Sequence, residues 1–363
     1  MSAIAIILDA EEGAMAAEGA ASETGRASPG WPYPASWVDH LTDAVDRLPG
    51  PAWAFYLVLL TGVALLINGA DWIAGQDPPG TFDPAQSSYA VYGVYMLALI
   101  HYLNREAGSK IESFRPALDI RAAEYERLRY EVTTLPARQG ALAGLVGVAI
   151  VALLYASDPP DAVDALQPAV LVATVVAEAL TIGILAVLIY HTIHQLRLVS
   201  RIHALASRID LFEPAPLYAF SNLTARTGIG LVLLIAYGFL IDPTINVVAV
   251  VLTGLVSVVA AAAFVLPLRG MHQRLVVEKE RLQLGADQRF KATLADLHRS
   301  VDERDLSVAD GLNKTLTSLQ LERDALARIP TWPWQAATLR AFVSVLLVPI
   351  VIWLIVRLLE RFV

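Results

Sequence analysis

Glu178 is the only formally charged side chain between Pro168 and Arg197. A lone acid in a long apolar run is the first place to look for chemistry. Counted from Pro168 it lies ten residues in, roughly 15 Å along a helix and near the middle of a bilayer. A carboxylate at that depth is costly unless it is protonated, paired or wetted. Thr174 and Thr181 stand four residues before and three after it, on the same helix face. Asn68, Asp71, Tyr92, Tyr95, Tyr237 and Asp242 fall at outer-half depths. Together these residues can line a pocket open to the outside that takes a cation or an amine. The competing reading is a protonated Glu178 bonded to a neighbouring carbonyl, with the tyrosines and aspartates at the interface.

Four histidines gather by depth at the inner boundary: His101, His191, His194 and His272. His191 and His194 are one turn apart, so they share a face. That spacing suits a metal or a proton-sensing site. No acidic partner stands at ligand spacing, and interfacial packing is the competing reading. No metal and no cofactor are implied. The chain has no cysteine, which removes disulfides, thiolate metal sites and cysteine nucleophiles. A Walker loop, a zincin signature and a nucleophile elbow are also missing, so the sequence reads as a non-enzyme. Asn222-Leu-Thr is a glycosylation pattern, discounted because it falls on the inner side.

The elements that position these residues are set by hydropathy. Of the 363 residues 56% are hydrophobic and 17% charged, and mean hydropathy is +0.53, a bias that points to a multi-pass protein of the lipid bilayer. The net charge of −8 argues against a nucleic-acid partner. Seven spans are expected: Trp53 to Trp72, Ser87 to Leu103, Gly140 to Tyr155, Pro168 to His191, Thr227 to Ile241, Ile245 to Leu268, and Ala337 to Ile355. With the N-terminus inside, 25 of the 27 Lys and Arg fall in inner segments, leaving Arg357 and Arg361 outside. The expected topology is therefore N-inside and C-outside, in a prokaryotic plasma membrane.

Residues 1–30 have no cationic start, and their apolar run breaks at Asp9, so they read as a disordered tail rather than a signal peptide. Residues 31–50 read as an interfacial amphipathic helix, with Val38, Leu41, Val45 and Leu48 on the face turned to the membrane. Residues 51–363 form the seven-span domain, with inner helical segments at 104–138, 192–226 and 269–334. In the first of these Leu118, Tyr125, Leu128, Val132 and Leu135 follow a coiled-coil-like pattern. In the last, Phe290, Leu294, Leu297 and Val301 alternate by four and three; a second helix returns through Leu312, Leu316, Leu319 and Leu326, with Ser307 and Asp310 at its expected start. The fold class is thus all-α, a polytopic bundle with a cytoplasmic helical stalk.

Between stalk and last span lies "IPTWPWQ". Pro330 ends the returning helix, and Pro333 suits the first turn of the next. Trp332 and Trp334 read as interfacial rings, and Pro349 should bend the span that follows. This elbow is either an anchor or a coupling joint through which stalk motion pulls a kinked terminal helix. Small residues at four-residue steps, Gly140 with Gly144, Ala143 with Gly147 and Ser257 with Ala261, allow close helix approach within one chain or between copies.

The tail "LARIPTWPWQAATLRAFVSVLLVPIVIWLIVRLLERF" resembles the C-terminal part of uncharacterised prokaryotic multi-spanning proteins, a likeness that implies no activity. The layout as a whole resembles the seven-transmembrane ion channel superfamily that includes insect odorant and gustatory receptors. Shared features are N-inside topology, long helices descending into a cytoplasmic region, and a last span entered through an elbow. The resemblance implies a tetramer whose last span lines a pore. The insect Thr-Tyr to Gln-Phe pattern is not found in 337–363, so no residue role carries over. Two functions are expected: a homo-oligomeric channel or channel-like sensor, or a membrane scaffold whose stalk recruits a cytoplasmic partner. A transporter fits less well, with no clear inverted repeats and one mid-membrane charge.

Overall fold

Long apolar runs without charge leave the backbone one way to satisfy its polar groups in lipid, which is to coil on itself. The computed structural model describes residues 31–157, 168–206, 211, 218–241, 247–304 and 307–359. Among them there is no strand. Eleven α-helices follow in order: α1 (Trp37–Arg47), α2 (Ala52–Ala74), α3 (Pro84–Phe114), α4 (Ala122–Thr133), α5 (Ala137–Ser157), α6 (Pro168–Leu205), α7 (Ala219–Ile241), α8 (Val247–Asp302), α9 (Ala309–Arg328), α10 (Ala336–Leu346) and α11 (Val348–Leu359). The expected tail at 1–30 and Asp242 lie outside the described residues.

Among the described residues, six stretches are long and apolar enough to cross a membrane. They lie in α2, α5, α6, α7 and α8 and along the α10–α11 pair. The chain is accordingly an integral, multi-pass membrane protein. The α3 helix is not among the six for a physical reason. It packs against α2, α4, α6 and α7 and buries Val94, Met96, Ile100, Leu103, Ile111 and Phe114. Its surroundings are other helices rather than lipid, so Ser88, Tyr92, Tyr95 and Asn104 are tolerated and its hydropathy is diluted. The outer helices show the opposite pattern, with Val58 and Leu66 on α2 and Leu145 and Leu153 on α5 exposed.

Two helices continue well beyond their apolar stretches. α6 runs 38 residues without a break, and α8 runs 56 residues, about 84 Å at 1.5 Å per residue. α9 folds back on α8 as the stalk hairpin. Ala286, Leu316 and Leu326 are buried in it, and Arg289–Glu322 and Arg323–Asp287 pair at 2.6 and 2.7 Å. The returning helix begins at Ala309, with Val308 rather than Ser307 at its N-cap and no side-chain cap bond. The face of α4 expected to be apolar is buried at Tyr125, Leu128 and Val132, against α3 and α6.

One expectation changes, and one open alternative is decided. Val38 and Val45, placed on a membrane-facing stripe, are buried inside the protein, because α1 docks against α2, α3 and α5. The small residues of α5 serve the chain itself. A Cβ on Gly147 would lie 2.6 Å from the Ile182 carbonyl oxygen, and one on Gly144 would meet Val187. The α5 and α6 backbones come close only because these positions are glycine.

Candidate functional site

The polar residues around Glu178 are brought into helix–helix contacts. The Tyr155 hydroxyl donates to Glu178 Oε2 at 2.9 Å, so the lone acid on α6 is tied to α5, two residues from the end of that helix. Gln86 Nε2 donates to Thr174 Oγ1 at 2.9 Å. Thr181 donates to the Ala177 and Tyr89 carbonyls. Asn68 donates to Ser87 Oγ and accepts from the Asp83 amide. Tyr95 donates to the Gly230 carbonyl at 2.8 Å, and Tyr92 meets Tyr237 edge to face at 5.0 Å. These contacts join α3 to α2, α6 and α7. Tyr155, Gln86 and Tyr89 are partners that sequence reasoning missed, because periodicity fixes a face of one helix but not the residue opposite it.

The end of the bundle near His191 is organised differently, around residues 33–39. Ser36 caps α1 in a reciprocal capping box with Asp39. Asp39, 5% exposed, accepts from the Ser36 amide at 2.9 Å, the Leu135 amide at 2.9 Å and Asn104 Nδ2 at 3.3 Å. Burial raises the Asp39 carboxyl above the usual range, against the opposing pull of the Ser36 and Leu135 bonds. Asn104 Oδ1 in turn accepts from His191 Nε2 at 2.7 Å. One turn away the Tyr33 hydroxyl donates to the Glu131 and Thr134 carbonyls and meets His194 Nε2 at 3.3 Å. Burial, then the nearby Glu131, raises the Tyr33 hydroxyl further above its ordinary value. Ser36-x-x-Asp39 carries a local cap signal that sequence reasoning passed over, and the partners of Asp39 lie 65 and 96 residues away.

The four histidines go to four separate environments. His101 bonds Tyr56 and Asp46, His191 bonds Asn104, His194 bonds Tyr33, and His272 joins the elbow. Among the described residues no three His, Cys, Asp or Glu side chains come together as metal ligands.

At the elbow the aromatic rings do more than mark an interface. His272 on α8 lies flat on Trp332, centroids 3.9 Å apart and planes 7° apart. Trp332 stacks on Trp334 at 4.3 Å, Trp334 on Phe264 at 5.4 Å, and Phe264 on Phe342 at 4.3 Å. Five rings thus form one ladder from the stalk helix to the last span. Its first rung is fixed by His272 Nδ1, which donates to the Thr331 carbonyl at 3.0 Å. Lys279 Nζ closes the end of α9 by donating to the Ala327 and Ile329 carbonyls, both at 2.8 Å. Pro333 is buried within the turn, after Pro330, which follows the end of α9. The last rung, Phe342, fits because α7 offers Gly228: a Cβ there would lie 2.5 Å from the ring. Beyond the ladder the helix breaks at Leu347, whose amide donates to the Ser344 and Val345 carbonyls. Pro349 then stands in the first turn of α11, as its missing N–H demands.

Fold and joint together define a multi-pass helical membrane protein with a long helical hairpin stacked onto the α10–α11 pair. Compared with family models, with curated proteins and with solved structures, the chain matches none.

Proposed function

We propose that the chain crosses the membrane seven times, N-terminus inside and C-terminus outside, and works as a homo-oligomeric channel or channel-like sensor whose stalk acts on its last span. Its place is the prokaryotic plasma membrane. The burial of α3 by its neighbours supports counting it as a span despite its diluted hydropathy. The placement of 25 of 27 Lys and Arg in inner segments supports the orientation. The observation that carries the coupling is the ladder from His272 to Phe342. Stacked rings transmit displacement better than a flexible loop, because each rung loses packing if its neighbour shifts alone.

A tetramer built through the last span accounts for the apolar flank left uncovered there at Val343, Leu347, Ile350, Leu354 and Leu358. Such a flank gates by dewetting rather than by charge. The test is particle symmetry in mild detergent followed by ion flux in reconstituted vesicles. A fourfold particle with the last span on its axis, and flux altered by Trp332→Ala, supports the channel. A monomer without flux removes it.

The second reading is a scaffold. Val277 and Leu284 on α8 and Leu321 on α9 are exposed on the stalk, where an apolar face suits a protein partner.

A further inference from the structure

The groove between α4 and the inner end of α6 holds a second cluster of charge, which the coupling joint does not use. α4 contributes Glu124, Arg127, Leu128 and Glu131, at steps that place them on one face. α6 contributes Arg201 and Leu205, one turn apart, and Arg121 and Ala123 complete the lining. The cleft holds about 450 Å³, within the range of small-molecule sites. Its arrangement is uneven. Glu131, with only 7% of its side chain exposed, accepts from Arg127 Nε at 3.0 Å and from Arg201 Nη1 at 3.4 Å. Both arginines remain 62% exposed. One buried carboxylate therefore braces two guanidinium groups but neutralises one. Each arginine spends one nitrogen on Glu131 and keeps its other N–H groups. Structural pairing needs one arginine on this acid, and an exposed pair contributes little stability. Arg121 adds a third positive charge at the N-cap of α4, where no side chain closes the first turn. Three arginines face two acids, so the lining is net positive even with Glu124 present.

Braced guanidinium forks beside an open helix start match the oxygens of a phosphate group in geometry and charge. We infer that this cleft binds a phosphate monoester, either a soluble one or the headgroup of phosphatidic acid, whose chemistry is the same. The site stands apart from the coupling joint and does not rest on the channel reading.

The test uses the full chain in detergent with inorganic phosphate and glycerol phosphate, and in phosphatidylcholine nanodiscs with and without phosphatidic acid. Thermal unfolding reads binding. The account predicts a rise in Tm with at least one of these probes and none with sulfate-free chloride at equal ionic strength. Arg201→Gln and Arg127→Gln should each weaken the response by about tenfold, the loss of one charge-assisted contact. Arg121→Gln, away from the Glu131 brace, guards against a fold defect and should weaken it as well. Arg289→Gln, in the stalk, should leave it unchanged. A response to glycerol phosphate but not to phosphatidic acid makes the ligand soluble; the reverse makes it the lipid. No response to any probe, or a response that survives all three cleft substitutions, overturns the inference.

Discussion

The two ends of the bundle handle buried polarity in different ways. Around Glu178, on α6, the acid and Thr174 meet side chains of neighbouring helices, Tyr155 and Gln86, while nearby Asn68 and Tyr95 bond backbone groups. At the other end, Asp39 both pairs with Asn104 and accepts from the Ser36 and Leu135 amides, and Tyr33 serves the Glu131 and Thr134 carbonyls. A side-chain pair can be deleted at modest cost, since both partners go or find alternatives. A backbone amide cannot be deleted, so removing its acceptor strands it. Asp39 should therefore carry more stability than the Glu178 pair, which should be free to vary.

The sharpest way to break that contrast is Asp39→Ala. It leaves the Ser36 amide, the Leu135 amide and Asn104 Nδ2 short of an acceptor, and should cost about 3 kcal/mol or more at 1–3 kcal/mol each. Thermal or denaturant unfolding in detergent reads it. A loss no larger than that of an exposed control removes the claim for Asp39. Next in size is Gly228→Leu, which drives a side chain into the space of Phe342 and the Ala260 carbonyl. Overpacking of this kind costs about 1–3 kcal/mol, and it should also disturb the elbow. Near-UV circular dichroism of the stacked rings gives the second readout, and an unchanged spectrum would mean that the ladder does not depend on α7.

Glu178→Gln should cost less than about 1 kcal/mol, since an amide still accepts from Tyr155. Glu178→Leu should be neutral or stabilising. A loss of several kcal/mol from Gln, with Leu worse, would make the Glu178 region a structural hub like that of Asp39. The smallest effect is in pH. Because the folded-state carboxyl of Asp39 lies above its ordinary value, the folded state binds the proton more tightly. Parent stability relative to Asp39→Asn should rise as pH falls from neutral through the raised pKa, and level off below about 4. A relative loss on acidification would reverse the balance between burial and hydrogen bonding at this site.

The contrast also explains what could be read in advance. The six apolar helices, the stalk hairpin and the break near Pro349 follow from hydropathy, period and proline chemistry, which are local. The Glu178 face with Thr174 and Thr181 was equally local; the Ser36–Asp39 cap is local too, but was not singled out. What escaped is the pairing of segments far apart in sequence. Trp332 and Trp334 read as interfacial anchors because nothing nearby in the chain announces His272 or Phe264, some 60 to 70 residues earlier. Val38 and Val45 read as lipid-facing because an apolar stripe looks the same whether lipid or protein covers it.

The central claim is that the ring ladder holds the stalk and the last span as one body. The chain has no cysteine, so two introduced at exposed Ser318 on α9 and exposed Ile355 on α11 can carry spin labels without background. The account predicts a narrow distance distribution between them in the parent, broadened or shifted by Trp332→Ala while the helical content stays the same. An unchanged distribution in the Trp332→Ala protein would contradict it, and would leave the elbow as an anchor alone.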